Sequence, residues 1–310
     1  MSLQTYKKIA LVFPGQGSQS IGMLANVAVK FPLIKEMYDR ASVILNYDLW
    51  ELITVGPIEQ LNQTMYTQPA LLVGEVAMWC ILREKLTHNP IFFCGHSLGE
   101  YSALVCAEAL KLDDAIKLVA ERGRLMQQAV GAGQGGMAAI IGLSDDQVSA
   151  ICEQEAVQGE VLEPANYNAI GQIVISGTIA AVEKAIIRAK ASGAKVAKLL
   201  PVSVPSHCSL MKPAAQKLSE YLNSIYIKTP SAAVINNADV CIYKNIDDIR
   251  DGLIKQLYNP VKWVETIQFL FNNGVDCLIE CGPGKVLAGL NKRIVDNLPT
   301  ISGEQLLLQE

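Results

Sequence analysis

Short apolar runs alternate with amphipathic segments along almost the whole chain, and this alternation limits the folds that the chain can adopt. The runs that predict β-strands are KIALVFPG, PIFFCGHS, GMAAIIGL, QIVISG, AKVAKLLPV, AAVINN and VDCLIECG. The segments with helical periodicity cover residues 19–30, 33–45, 69–86, 98–110, 113–130, 145–155, 179–192, 213–224, 246–257, 260–272 and 285–296. Strands that alternate with helices predict an α/β protein with a largely parallel sheet.

One region, between about residue 133 and residue 203, departs from this pattern. Its predicted order is strand, helix, loop (EPANYNAIG), strand, helix and strand, which is typical of a ferredoxin-like unit with an antiparallel sheet. We therefore predict a ferredoxin-like small subdomain over 133–203, inserted into a larger α/β subdomain formed by 1–132 and 204–310. A cleft between two such subdomains is the default place for a ligand.

Composition and charge argue against several classes of protein. The net charge is −4 at pH 7, whereas a nucleic-acid-binding protein is expected to carry a basic stripe. The chain has no apolar run of the 18 or more residues that a membrane-spanning helix needs. Its eight cysteines form no CxxC pair and no zinc-ligand spacing. We therefore expect reduced thiols, no metal site, no nucleic acid or membrane partner, and a cytoplasmic location.

Two glycine-rich motifs resemble phosphate-binding loops but lack the right context. GAGQGG at 131–136 follows a predicted helix and precedes a predicted strand, the reverse of the dinucleotide-binding arrangement, so we interpret it as a connection. GPGK at 282–285 lacks the first glycine and the Ser/Thr of a P-loop. It does follow a strand and open a helix, so its backbone N–H groups remain candidates for facing a cleft.

A G-x-S-x-G motif lies between an apolar strand and a helix, as Gly95-His96-Ser97-Leu98-Gly99. This context is typical of a nucleophilic serine on a tight, strained turn, where the glycines avoid side-chain clashes. The serine hydroxyl would then stand at a helix N-terminus, whose free N–H groups favour negative charge. The plainer alternative is an ordinary N-cap serine in a βα turn. We predict that Ser97 is a nucleophile.

A serine nucleophile needs a base, and the chain has only three histidines. His88 lies in a polar turn, and His96 adjoins Ser97, so its side chain should diverge from that of the serine. His207 lies in a loop just past a strand-like run, which is where α/β proteins place catalytic groups. Elimination therefore favours His207 over a mere helix-capping role. Since no acidic residue stands out as its orienting partner, a backbone carbonyl is an equally good candidate.

Arg122 falls on the apolar stripe of its predicted helix, three or four residues from Leu118, Val119, Leu125 and Met126. A guanidinium group in that position is costly unless something anionic meets it. Periodicity alone favours an internal ion pair with Asp or Glu, or an arginine that snorkels at the helix edge. Beside a serine nucleophile, its planar fork would also suit a substrate with a free carboxylate.

These features occur within a longer series of motifs that resembles the malonyl-CoA:acyl-carrier-protein transacylases of type II fatty acid synthesis. The resemblance covers about residues 8–296. Its landmarks, in order, are FPGQGSQ, GHSLGEYSAL, RGRLMQ, GGMAAIIGL, NYN, PVSVPSHCSLMKP, QLYNPVKW and ECGPGKVLAGL. The resemblance implies an α/β-hydrolase-like core with an inserted ferredoxin-like subdomain. It also implies malonyl transfer from coenzyme A to the phosphopantetheine thiol of acyl carrier protein, without a metal or other cofactor.

The resemblance also implies roles for individual residues. Ser97 would bear the acyl group and His207 would be its base. Arg122 would anchor the malonyl carboxylate, which reverses the preference for an internal ion pair. A serine thioesterase or hydrolase and a free-standing acyltransferase of a polyketide synthase stay open as alternatives. A non-catalytic carrier-binding module is disfavoured by the intact Ser97, His207 and Arg122 set.

Five further positions follow from the resemblance alone. The backbone N–H groups of Gln16 and Leu98 would form an oxyanion hole, and Gln16 would also contact the substrate. The main-chain carbonyl of Gln256 would hold the histidine. Asn166 and Asn168 would line the substrate site.

The expected partners are malonyl-CoA and an acidic acyl carrier protein, and we expect a monomer. Charge complementarity with an acidic carrier predicts a basic rim around the cleft. The candidates for this rim are Lys190, Lys195, Lys285, Lys292 and Arg293. The pocket walls that decide acyl-group tolerance are expected near Met126, Val204 and Ser206.

Overall fold

A computed structural model describes residues 6–157, 159–202 and 204–309. The strands are β1 (Ile9–Phe13), β2 (Phe92–Gly95), β3 (Gly135–Ile141), β4 (Leu162–Ala169), β5 (Gln172–Thr178), β6 (Val196–Leu199), β7 (Ala233–Ile235), β8 (Cys277–Glu280) and β9 (Thr300–Ser302). The helices are α1 (Ala25–Lys30), α2 (Leu33–Leu45), α3 (Leu49–Thr54), α4 (Ile58–Leu61), α5 (Thr64–Leu82), α6 (Gly99–Cys106), α7 (Leu112–Ala129), α8 (Asp145–Glu155), α9 (Ile179–Ala191), α10 (Lys212–Ser224), α11 (Ile246–Gln256), α12 (Trp263–Asn272), α13 (Val286–Asn291) and α14 (Gly303–Leu308).

The larger sheet is parallel throughout, in the order β7-β2-β1-β8-β9. Every residue of β1 is buried, as expected for a strand that helices cover on both faces. Because successive side chains of a strand point to opposite faces, Leu11 and Phe13 pack into one hydrophobic core and Ala10 and Val12 into the other. The parallel α/β sheet predicted from the alternation of apolar runs is confirmed.

The second sheet is antiparallel, in the order β4-β5-β3-β6. The sequence EPANYNAIG, interpreted above as a loop, lies mostly in β4, so that interpretation is wrong. β4 is an edge strand with two register shifts, one of them between Pro164 and Asn166. An edge position tolerates a proline that cannot donate a hydrogen bond, and bulges break the simple alternation of polar and apolar residues. The sequence of β4 therefore lacks the alternation from which a strand is predicted.

Other differences from the predicted elements concern short pieces. The helix predicted from residue 19 begins only at Ala25, after turns that include Leu24 with a φ angle of 60°. The helix predicted over 285–296 ends at Asn291. α3, α4, α14 and β9 were not predicted, because segments of 6, 4, 6 and 3 residues are too short to show a period.

Helix α5 runs through the core of the protein. By length and mean hydropathy (1.2) it could cross a bilayer, but 83% of the apolar window is buried inside the protein. It also carries buried polar side chains, among them Gln68 and Glu75. These features are typical of a core helix, and Gln68 reappears below in the site.

The two sheets meet at a pocket of about 180 Å³. The strand β4 is tied to the segment before α12, because Tyr167 N donates to Val261 O and Val261 N donates to Ala165 O, both at 2.9 Å. The carboxyl ends of β1 and β2 lead directly to Gln16 and Ser97, which line the pocket. The fold thus places the ends of parallel strands against the antiparallel sheet.

Candidate active site

Ser97 sits on a strained turn between β2 and α6. Its φ angle is 52°, in the left-handed region that a non-glycine residue rarely adopts. A Cβ at Gly95 would lie 1.9 Å from the Gly99 carbonyl carbon, and one at Gly99 would lie 2.2 Å from Phe13 O. Both glycines are therefore required for the close approach of strand and helix, as the G-x-S-x-G spacing predicts.

Asn237, just past the end of β7, braces this turn. Its Oδ1 accepts from Ser97 N at 2.6 Å, and its Nδ2 donates to Gly95 O at 2.6 Å. The side chain is 1% exposed, so these bonds are shielded from water. Asn237 was not predicted from the sequence, although it follows a strand at the sheet edge where α/β proteins bind ligands.

His207 lies within hydrogen-bond distance of Ser97. Its Nε2 is 2.7 Å from Ser97 Oγ, and its Nδ1 is 2.7 Å from the main-chain carbonyl of Gln256. With Nδ1–H donating to that carbonyl, Nε2 is free to accept the serine proton. Burial, and then the nearby Arg122 charge, lower the pKa of His207 to about 3. The imidazole is therefore neutral at pH 7 and able to act as a base.

The other two histidines lie apart from the serine hydroxyl. His96 Nε2 is 2.8 Å from Asn168 Oδ1, and its ring lies 5.6 Å from that of Trp263. Burial lowers the pKa of His96. His88 is exposed on the surface. The structure therefore brings Ser97 together with the histidine that elimination selects.

Arg122 is 1% exposed and points at the serine. Its Nη1 donates to Gln68 Oε1 at 2.8 Å, and its Nη2 donates to Gln256 Oε1 at 2.8 Å and to Ser97 Oγ at 3.3 Å. Its guanidinium carbon lies 5.2 Å from the centre of the Tyr101 ring. Within the described part of the chain it forms no ion pair, so the internal ion pair that periodicity favoured is absent.

The hydrogen-bond partners of this guanidinium carry no charge. Gln68 and Gln256 are neutral amides, and the Nε atom is buried with no acceptor among the described residues. Burial lowers the pKa of Arg122, but an arginine stays protonated in proteins. The buried Glu100 carboxylate, which bonds the same Gln256 side chain, opposes that lowering of the Arg122 pKa. None of the hydrogen bonds that the guanidinium donates within the described residues goes to an anion, and this favours an anionic ligand in the adjoining pocket. Gln68 was missed because a glutamine in an apolar helix gives no signal about its partner.

The remaining predicted positions also border the pocket. Gln16 lines it, and its Nε2 lies 3.4 Å from Thr64 Oγ1. Neither Gln16 N nor Leu98 N has an acceptor within residues 6–157, 159–202 and 204–309. Two free N–H donors beside a serine nucleophile suit a developing oxyanion. The other predicted residues that line the pocket are Asn166, Asn168, Met126, Val204 and Ser206.

Acidic side chains accept hydrogen bonds from N–H groups within the GPGK segment and just after it. The carboxylate of Glu280 accepts from Leu287 N and Ala288 N at 2.8 Å, and Glu304 Oε2 accepts from Gly284 N at 2.9 Å. Acidic side chains therefore occupy these three donors, one of them within GPGK, and the expectation for the other N–H groups of the segment stays a prediction.

Comparison with known proteins identifies the family. The family model described as the acyl transferase domain matches residues 10–304. The chain belongs to the acyl transferase family. A relative from Haemophilus influenzae, named malonyl CoA-acyl carrier protein transacylase, is 53% identical to this chain over 297 residues, which cover 96% of this chain and 95% of the relative. The resemblance inferred from the ordered motifs is confirmed.

Solved structures agree with this assignment of the acyl transferase. The malonyl CoA-acyl carrier protein transacylase from Coxiella burnetii is similar with a TM-score of 0.95 at 48% identity, covering 98% of this chain and 96% of that one. A structure of a type II PKS acyl-carrier protein in complex with its malonyl-transacylase is similar with a TM-score of 0.95 at 49% identity, covering 98% of this chain and 99% of that one.

Proposed function

We propose that this acyl transferase moves the malonyl group from malonyl-CoA to the phosphopantetheine thiol of acyl carrier protein, for fatty acid synthesis, through an ester on Ser97. The proposal rests on the arrangement of Ser97, His207 and Arg122 in one pocket. Ser97 Oγ lies 2.7 Å from a neutral histidine and 3.3 Å from a buried arginine. The nucleophile, its base and a carboxylate anchor thus share one pocket, in a chain whose relatives bear the name of this activity.

In the first half-reaction, Ser97 Oγ attacks the thioester carbonyl of malonyl-CoA while His207 Nε2 takes its proton. The Gln256 carbonyl holds the Nδ1 proton and stabilises the imidazolium that forms. The oxyanion forms beside the N–H groups of Gln16 and Leu98, and each such donor is typically worth about 10²- to 10³-fold in rate. The C–S bond then breaks, His207 returns its proton to the sulfur, and coenzyme A leaves as a thiol.

The second half-reaction runs the same steps in reverse with a different thiol. The phosphopantetheine thiol, with an ordinary pKa of about 8.5, gives its proton to His207 and attacks the carbonyl of malonyl-Ser97. The ester C–O bond breaks, and the proton returns to Ser97 Oγ. The low pKa of His207 keeps the imidazole neutral between half-reactions, so either thiol finds the base ready.

Selectivity for malonyl rests on Arg122. The malonyl carboxylate would meet the remaining N–H groups of its guanidinium, which Gln68 and Gln256 hold in place with two bonds of 2.8 Å. An acetyl group would leave this desolvated cation without an anionic ligand. We expect this to lower the preference for acetyl-CoA relative to malonyl-CoA about tenfold to a hundredfold. The neutral partners keep the cation fixed without neutralising it.

We also propose that the chain is divided into two subdomains. The order β4-β5-β3-β6 with two helices supports a ferredoxin-like subdomain over 133–203, inserted into an α/β-hydrolase-like subdomain of 1–132 and 204–310. The strained turn at Ser97 supports the α/β-hydrolase-like description of the larger subdomain. A cytoplasmic location and a monomeric state remain predictions, and light scattering on the purified protein checks the latter.

The proposed basic rim has one feature that the structure adds. Lys195 and Arg293, from opposite sides of the junction between the antiparallel sheet and α13, border the same surface depression, together with Asp145 and Asp146. Arg293 also bonds Gln172 at the start of β5. All five predicted basic residues are exposed, which supports an acidic carrier as the transient partner.

An intact-mass measurement tests the proposal. Wild type mixed with malonyl-CoA alone should gain one malonyl group, and the Ser97→Ala variant should gain none. Steady release of coenzyme A and malonate without an adduct would instead support the hydrolase alternative. A well-folded wild type that neither gains mass nor turns over would overturn Ser97 as the nucleophile.

A further inference from the structure

Glu100 is a fully buried carboxylate one helical turn beyond Ser97, and the steps proposed above do not use it. Its Oε2 accepts from Asn237 N at 3.0 Å and from Gln256 Nε2 at 2.8 Å, and its Oε1 accepts from the Tyr243 hydroxyl. Three donors from three different segments thus hold the carboxylate in one orientation. Its position is therefore fixed relative to the strand ends and to α11.

The Gln256 side chain has only one arrangement that satisfies these neighbours. Its Nε2 donates to Glu100 Oε2 and to Ser97 O, both at 2.8 Å, which uses both of its protons. Its Oε1 must then face Arg122 Nη2, also at 2.8 Å. An amide turned by 180° would aim N–H groups at the guanidinium and its oxygen at two acceptors. Glu100 and Ser97 O together exclude that alternative.

We propose that Glu100 is a positioning residue, which selects the orientation of the Gln256 amide that holds Arg122 and thereby sets the preference for malonyl over acetyl. The inference rests on the proposed role of Arg122. It assigns the Gln256 side chain a function separate from that of its main-chain carbonyl, which faces His207. Glu100 touches neither the acyl group nor the reacting atoms.

The charge on Glu100 is not what the proposal requires. In Glu100→Gln, the amide oxygen takes the place of Oε2 and accepts from Asn237 and Gln256, while the new NH₂ group donates to the Tyr243 hydroxyl. The orientation of Gln256 is kept. In Glu100→Leu, Gln256 loses the acceptor for one proton, and its amide is free to turn away from Arg122.

The test is a competition experiment with equal concentrations of malonyl-CoA and acetyl-CoA, quenched early and read as the ratio of the two adduct masses. Misfolded molecules label with neither group, so the ratio reports only on folded enzyme. We expect Glu100→Leu to lower the malonyl-to-acetyl ratio at least about tenfold, which is the scale of one hydrogen bond to a charged group. Glu100→Gln should keep the ratio within threefold of wild type or raise it.

Each outcome decides the proposal. A wild-type ratio in Glu100→Leu overturns it, and so does an equal fall in both variants, because charge rather than orientation would then be responsible. If Glu100→Leu gives no labelled protein, Glu100→Asp takes its place. This variant should also lower the malonyl-to-acetyl ratio, since the shorter side chain cannot reach Gln256 and Asn237 together, and a wild-type ratio in it overturns the proposal. If wild type itself shows no malonyl preference, the proposed role of Arg122 fails instead, and the two failures are distinguishable.

Discussion

At the residue scale, the site consists of a few groups whose ordinary chemistry is altered by burial. His207 shows this most clearly, because its pKa of about 3 lies well below the usual value near 6.5. A base must be unprotonated to act, and this one remains so when an exposed histidine would already be protonated. The charge of Arg122, the proposed substrate anchor, also lowers the pKa of His207 and helps to keep the imidazole neutral.

This predicts an unusual pH profile. The rate of acyl-enzyme formation with acetyl-CoA, whose acyl group does not titrate, should stay level from pH 8 down to about pH 5. The direction follows from the lowered pKa, since the neutral imidazole is lost only as the pH falls towards 3. Rapid-quench mass measurements across this range check it. Burial raises the pKa of Glu100 to about 7, so the same profile is measured in Glu100→Gln. An acid limb centred near pH 6.5 that persists in this variant would contradict a buried, neutral His207.

Arg122 carries a second prediction at this scale. Arg122→Met keeps most of the side-chain volume and removes the cation, so the malonyl-to-acetyl ratio of kcat/KM should fall at least about tenfold. The acetyl rate itself should fall much less, which distinguishes a lost anchor from a damaged nucleophile. Equal losses for both thioesters would show that the arginine supports Ser97 rather than the carboxylate.

At the scale of single elements, the turn between β2 and α6 depends on its glycines. Gly95→Ala places a Cβ 1.9 Å from backbone atoms of Gly99, where no side-chain movement relieves the clash. We expect a loss of at least about 3 kcal/mol in the free energy of unfolding, or no folded protein. Gly289→Ala in α13 is the control, because its Cβ meets nothing within 4 Å and should be neutral or stabilising. Denaturant unfolding compares the two, and equal stabilities would contradict the tight turn.

The elements also show which parts of the structure the sequence makes predictable. The long helices and central strands were predictable because each carries its own period over several turns or residues. β4 was not, since an edge strand with Pro164 and two register shifts lacks a clean alternation. Ser97 and His207 were predicted from motif and elimination. Periodicity placed Arg122 on a buried helix face, but its role as a carboxylate anchor followed only from the resemblance. Gln68, Glu100 and Asn237 were missed because their roles depend on partners 54, 156 and 140 residues away in the chain.

At the scale of the whole molecule, the two sheets form one site and one surface. Lys195 comes from the side of the antiparallel sheet and Arg293 follows α13, yet both border one depression. Reversing Lys195 and Arg293 to glutamate should slow transfer to an acidic carrier protein and weaken its dependence on salt. Acylation by malonyl-CoA should be unchanged, and this provides the internal control. An unaltered salt dependence of transfer would contradict carrier docking at this surface.

We propose that Ser97 holds the malonyl group for a thiol rather than for water. The most direct measurement isolates the malonyl-enzyme, divides it, and follows the loss of the malonyl mass in buffer and with acyl carrier protein bearing its phosphopantetheine. We expect a slow loss in buffer, and a rapid loss with the carrier that is matched by malonyl gain on the carrier. Loss at the same rate in both, with free malonate as the product, would contradict it.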